Sequence, residues 1–342
     1  MRICVISTGG TIASSPGDEG LTPTMRVEQL IARIPDLERS GSVSVVDLLS
    51  KDSSNMHPND WARIATCVLE RRGDADGFLI LHGTDTMAYS ASALSYMLLG
   101  FDKPVVLTGS MHPIDVPGTV AVDNVRNAFL FLKTLAKRGQ AGVSIAFGGF
   151  LIHGPRSQKI LSHTQTAFSS INYPVLGTID AGGPSLRHRP VFADPGDAPF
   201  RQKNGVFRME RSILLVTLFP GYPARHLEAS IAMQPKAIVI EALGMGGVPY
   251  LGENLLPPIE HARNHSIPVV ITTQCVFGGV DLSIYEVGRK TLRMGVISGK
   301  DMSREAIITK LMLLLPHIPE GDSAVLQAAF HTPFCDEISA DR

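Results

Sequence analysis

Short, unbroken apolar runs recur along the chain, and each ends in a turn rich in glycine and hydroxyl residues. Ile3-Cys4-Val5-Ile6 leads into Ser7-Thr8-Gly9-Gly10-Thr11-Ile12-Ala13, and Phe78-Leu79-Ile80-Leu81 leads into His82-Gly83-Thr84-Asp85-Thr86-Met87. Four residues are too few for a helix, and apolar character at every position marks a strand covered on both faces. Further strands are read at 104–108 and 143–147, with helices at 27–34, 87–99 and 122–137 between them. Asp60, just before Trp61, predicts a capped helix running to Arg71. Up to about residue 176 strand and helix alternate, which predicts a parallel, doubly wound α/β sheet.

Residues 181–211 lack any period and are rich in Gly, Pro and charge, so they read as a connection. The pattern then resumes. Strands are expected at 213–219, 237–243 and 268–273, with helices at 251–264 and at 303–315, the latter capped by Ser303. The expected division is an N-terminal α/β domain at 1–185, a linker at 186–212 and a smaller C-terminal α/β domain at 213–342.

Open α/β sheets bind ligands at the carboxyl ends of their strands, which is where both threonine-bearing turns fall. Thr11 and Thr84 are therefore expected to face one crevice. A threonine hydroxyl attacks a carbonyl only when a base takes its proton, and the attacked carbonyl needs donors where its oxygen turns negative. The turns contain neither GxGxxG nor GxxxxGK[ST], so no phosphate cradle is specified. His261 and His265 form a helical i, i+4 pair but have no HExxH and no companion carboxylate, so no metal is expected.

Composition narrows the partners. The 31 basic and 32 acidic residues nearly cancel, which argues against nucleic acid and anionic membranes and leaves a small molecule or other subunits. Cys4, Cys67, Cys275 and Cys335 are scattered without metal or disulfide spacing, as in a reducing compartment. Only four apolar residues precede the first polar turn, far fewer than a secretory segment needs, so a cytoplasmic location is expected.

Thr8-Gly9-Gly10-Thr11-Ile12-Ala13, Asp52-Ser53-Ser54-Asn55-Met56, His82-Gly83-Thr84-Asp85-Thr86-Met87, Leu107-Thr108-Gly109-Ser110, Lys159 and Thr273-Gln274-Cys275 occur in an order that resembles the bacterial-type L-asparaginases, nearest their cytoplasmic type I branch. The likeness runs almost the full chain. It implies a cofactor-free amide hydrolase in which Thr11 attacks the side-chain amide of L-asparagine, with Thr84, Asp85 and Lys159 moving protons. It also implies that Gly10, Ser53, Ser54, Asp85 and Ser110 hold the substrate. Ser53 and Ser54 would take its α-carboxylate and Asp85 its α-ammonium, while backbone amides near Thr84 and Ser110 would form the oxyanion site. Residues 14–20 would be a lid. Tyr285 would reach a neighbouring subunit's site, so a homodimer or homotetramer is expected.

Several positions depart from the family. Leu21 stands where many relatives carry a lid tyrosine, Thr119-Val120-Ala121 where most carry an aspartate, Gly247 where an asparagine contributes to ligand contacts, and Ser157-Gln158 in place of a threonine-rich stretch. These changes bear on substrate identity and effector response. Two alternatives therefore stand beside asparagine hydrolysis: a specialised amidase acting on glutamine, D-asparagine or an acylated asparagine, and an amino-acid sensor without turnover.

Overall fold

A computed structural model describes residues 1–17, 20–34, 37, 41–200 and 206–339. The chain forms two compact units, one built on Met1–Pro195 and the other on Phe207–Arg342.

The first unit carries an eight-stranded sheet in the spatial order Gly183–Leu186, Gly177–Asp180, Phe150–His153, Gly142–Phe147, Pro104–Thr108, Gly77–Leu81, Arg2–Gly9 and Ser42–Lys51. The last five are mutually parallel, with Ile3 paired to both Val43 and Gly77. The other three strands extend the sheet antiparallel to their neighbours. This mixed edge starts at Gly148-Gly149, where both residues have positive φ (57° and 82°) and turn Phe147 back onto Phe150. Such a two-residue turn matches the twist of a hairpin. Ser42–Lys51 was not foreseen as a strand, because it alternates polar with apolar residues as a half-covered edge does.

Strand side chains Val5, Leu79, Leu81 and Val106 form a core with Leu30 and Ile31 of the helix Val27–Ala32 and with Val125, Phe129 and Leu132 of the helix Ala121–Lys137. On the helix Pro58–Glu70 the cap is His57 rather than Asp60. The His57 ring accepts from the Asn59 amide at 3.2 Å, and the Asp60 carboxylate, one turn in, accepts from the His57 amide at 2.9 Å. That reciprocal pair is a capping box, in which Asp60 takes the third helical position.

The second unit has four parallel strands, in the order Ile213–Thr217, Ala237–Ala242, Val269–Thr273 and Ile297–Ser298. The helix expected at 251–264 begins only at Leu256, with Pro257 in its first turn, where a missing amide proton costs nothing. Ser303 caps Arg304–Leu314, its hydroxyl accepting from the Ala306 amide at 3.1 Å. The stretch read as a connection is partly structural: Gly183–Leu186 is a strand of the first sheet, and Phe200 packs edge-on against Phe334 of the second unit. Among the described residues no helix is long and apolar enough to cross a membrane.

Candidate active site

After the strand Arg2–Gly9 the chain passes to Ser42–Lys51 on one side, then returns to Gly77–Leu81 on the other. The connections leaving the carboxyl ends of these neighbouring strands diverge, which opens a crevice. Four turns meet along this edge. They carry Gly10 and Thr11, Ser53 and Ser54, Thr84 and Asp85, and Gly109 and Ser110.

Glycine lets three of these turns touch. A Cβ on Gly10 (φ 82°) would stand 2.4 Å from the Gly83 Cα, and one on Gly83 would stand 2.6 Å from the Ser53 side chain. No methyl group fits at either place. Thr11 then opens the short 3-10 turn Thr11–Ala13, which the Gly10 carbonyl closes by accepting from the Ala13 amide at 3.1 Å and the Ser14 hydroxyl at 3.0 Å. Ile12 and Ala13 are buried while Thr11 is half-buried, so the apolar neighbours anchor the turn beneath the threonine.

Lys159 reaches the same edge from the short strand Ser157–Lys159, which pairs with Phe168–Ser170. Its ammonium donates to the Thr84 hydroxyl at 3.0 Å and to Asp85 Oδ1 at 2.6 Å. The lysine side chain is 17% exposed and the Asp85 side chain 56% exposed, so the pair presents its carboxylate to solvent. Ser53 is buried and Ser54 exposed. The Ser53 hydroxyl accepts from the Asp85 amide at 3.2 Å and its carbonyl accepts from the Thr86 hydroxyl at 2.7 Å. With its oxygen already accepting, Ser53 keeps its proton for another partner. Asp52 holds the Ser54 amide at 2.8 Å.

Ser110 is buried, and its hydroxyl accepts from the His112 amide at 3.2 Å. It also lies 3.4 Å from the Thr119 hydroxyl. Thr119 thus stands beside Ser110 in the stretch that lacks the family carboxylate.

Several residues of this neighbourhood were not foreseen. Asn124 donates to the Gly109 carbonyl at 3.0 Å and accepts from the Gly148 amide at 3.1 Å, which ties the Ser110 turn to the hairpin. His82 is fully buried beneath the Thr84 turn, with Nδ1 2.7 Å from the Gly83 carbonyl and Nε2 2.8 Å from the Ser90 hydroxyl. The Trp61 indole donates to that same hydroxyl at 2.9 Å. Burial lowers the His82 pKa to about 4, so the ring is neutral at physiological pH. The available sequence signal was a histidine placed directly between a buried strand and a Gly-Thr turn.

Other expected residues fall as follows. The lid stretch contributes Ser14–Gly17 to a two-stranded hairpin with Gly20–Pro23; Asp18 and Glu19 lie outside the described residues, as does the side chain of Leu21. Tyr285 is an exposed residue of the second unit, at the start of the helix Glu286–Arg293. Gly247 bridges to Leu243 in a tight turn, and Gln158 is buried. His261 bonds Glu228, and His265 Nδ1 donates to the His261 carbonyl at 3.0 Å. Among the described residues no three His, Cys, Asp or Glu side chains converge as metal ligands.

Residues 2–192 match the family model "Asparaginase, N-terminal" and residues 212–330 match "Glutaminase/Asparaginase C-terminal domain". The L-asparaginase of Thermococcus kodakarensis is 38% identical over 318 residues, covering 93% of each chain. Its solved structure superposes with a TM-score of 0.87 at 36% identity, covering 99% of this chain and 100% of that one. A glutamyl-tRNA(Gln) amidotransferase polypeptide of Aeropyrum pernix is 34% identical over 99% of this chain and 79% of its own. L-asparaginase 1 of Escherichia coli is 33% identical over 99% of this chain and 98% of its own.

Proposed function

The chain belongs to the asparaginase family of amide hydrolases, and on that premise we propose that it converts L-asparagine to L-aspartate and ammonia at the strand ends of its first unit. The supporting observation is the Lys159 ammonium held between the Thr84 hydroxyl and the Asp85 carboxylate, with the Ser53 turn bonded to Asp85. In this reading the Thr11 hydroxyl attacks the side-chain amide carbon and its proton passes to the leaving nitrogen. Ammonia departs, an ester to Thr11 remains, and water cleaves that ester to release the carboxylate and restore the hydroxyl.

Thr84, Asp85 and Lys159 carry the protons. A hydroxyl that accepts from an ammonium, as Thr84 does, is free to pass on its own proton. Asp85 pairs with the α-ammonium of the substrate, and the spare proton of Ser53 with its α-carboxylate, helped by Ser54. Gly10 leaves room for close approach, and the amides near Thr84 and Ser110 receive the oxyanion. Neither a cofactor nor a metal enters. Tyr285 is assigned to a neighbouring subunit's site, in a cytoplasmic dimer or tetramer.

A second reading keeps the scaffold and changes the amide, to glutamine, D-asparagine or an acylated asparagine. It is favoured by the relatives named as amidotransferase polypeptides and by the departures at Val120 and Gly247. Ammonia release by the purified protein across a panel of these amides decides. L-asparagine is expected to give the highest kcat/KM. Another amide in first place establishes the second reading, and binding without release from any amide establishes a sensor.

A further inference from the structure

The Thr84 turn rests on a buried line of hydrogen bonds whose members take no part in the proposed chemistry. The direction of the line is forced from its far end. The Trp61 indole N–H only donates, so it donates to Ser90 Oγ; the Ser90 proton is then free for His82 Nε2, and Nδ1 must carry the ring proton to the Gly83 carbonyl, which only accepts. Every group in the line is matched by a single tautomer of a neutral ring.

The Gly83–Thr84 peptide is trans, so its carbonyl and its N–H point in opposite directions. With the carbonyl drawn inward to His82, the Thr84 amide is turned away from the buried ring. The turn cannot easily choose otherwise, because Gly83 is wedged between the Gly10 backbone and the Ser53 side chain and the His82 amide is bonded to the Thr108 carbonyl at 2.9 Å. We propose that neutral His82 is a positioning residue that aims the Thr84 amide at the developing oxyanion, with Trp61 and Ser90 fixing its tautomer. The proposal rests on the reading that the Thr84 turn borders the reacting carbonyl.

The titratable groups on surrounding elements are Asp60, Arg63 and Cys67 on the helix Pro58–Glu70, Tyr89 and Tyr96 on Met87–Met97, and Asp85 and Lys159 at the turn. None of them enters the balance at His82, which burial pulls down and the Gly83 carbonyl partly restores. Protonation would place a second donor on Nε2 opposite the Ser90 hydroxyl, and the line would break.

Two measurements test this. In long-range proton–nitrogen spectra of the wild-type protein at pH 7, His82 should be neutral with its proton on Nδ1; an Nε2 proton or an imidazolium overturns the proposal. In steady-state kinetics, His82→Leu removes the donor and should lower kcat about 100-fold with KM within threefold, since one oxyanion donor is worth on the order of 10² to 10³ in kcat. His82→Asn restores an amide donor near Nδ1 and should recover at least tenfold of that loss. A folded His82→Leu protein within twofold of wild-type kcat overturns the proposal. If that variant does not fold, Ser90→Ala serves instead, expected to mix the two tautomers and cost about tenfold in kcat; unchanged tautomer and kcat overturn the proposal. Absence of ammonia release from wild type fails the functional reading, whereas release with full kcat in His82→Leu fails only the positioning role.

Discussion

Both units present the carboxyl ends of parallel strands, and the two edges treat their polar groups in opposite ways. In the second unit Glu241, at the end of Ala237–Ala242, is buried and accepts from Arg304 Nε and from the Thr217 hydroxyl, each at 2.6 Å. Gln274 closes the same edge by donating to the carbonyls of Leu218 at 2.6 Å and Glu241 at 3.0 Å. There the strand-end polar groups satisfy one another. At the first edge the Asp85 carboxylate is 56% exposed despite its bond to Lys159, and Ser53 retains a proton to give. Strand ends of one architecture thus become a stabilising clasp or a receptive site, according to whether their donors and acceptors are consumed within the fold.

The largest effect should come from removing the proposed nucleophile. Thr11→Ala is expected to leave the fold intact and to lower kcat by on the order of 10⁴, about 5 kcal/mol of barrier. Retention of more than about a tenth of kcat, a change under ~1.4 kcal/mol, would rule Thr11 out as nucleophile.

Acid should affect stability through the ring beneath that edge. His82 has a folded pKa of about 4 against 6.5 unfolded, so the fold binds fewer protons there. Its contribution is fully present above pH 6.5 and is lost as pH falls toward 4, to a total of about 3 kcal/mol. Denaturant melts at stepped pH, followed by the fluorescence of Trp61, the chain's one tryptophan, should show this loss. A His82→Leu protein with an equally steep acid limb would assign it to other groups.

Lys159→Met should lower kcat roughly 100-fold, the usual size of a lost proton-transfer group, with little change in melting temperature. Glu241→Ala should do the reverse. Arg304 is 39% exposed and its charge can reach water, so the cost is expected at about 2 kcal/mol, below that of a wholly buried pair, with kcat per folded molecule unchanged. Thermal melts paired with initial rates check both variants. Loss of kcat in Glu241→Ala alongside a normal melt would erase the contrast between the edges. The smallest effect concerns affinity: with Val120 and Gly247 supplying no polar side chain, L-asparagine saturation should be hyperbolic with a high KM, each missing neutral bond costing ~1 kcal/mol. A Hill coefficient clearly above one, or a micromolar KM, would contradict this.

Much of the parallel framework was legible because strands covered on both faces, such as Phe78-Leu79-Ile80-Leu81, must be apolar throughout. The turn residues could be listed for a related reason: Gly10 and Gly83 sit where no side chain fits, so their identity is a local signature of close approach. The edge strand Ser42–Lys51 and the antiparallel extension escaped notice, because alternation over a half-exposed strand resembles surface loop, and strand direction depends on long-range pairing.

Sequence by itself therefore determined which segments are buried strands, where the chain turns, and which hydroxyl, carboxylate and ammonium groups stand at the turns, since these follow from local solubility and sterics. Only the tertiary structure decided that Lys159 meets Thr84 and Asp85 from 75 and 74 residues away, that Asp60 serves a histidine cap, and that Trp61, Ser90 and His82 form one line under Gly83. Hydrogen bonds require both partners within about 3 Å at defined angles, and for residues far apart in the chain that condition is met by packing of whole elements rather than by any local pattern.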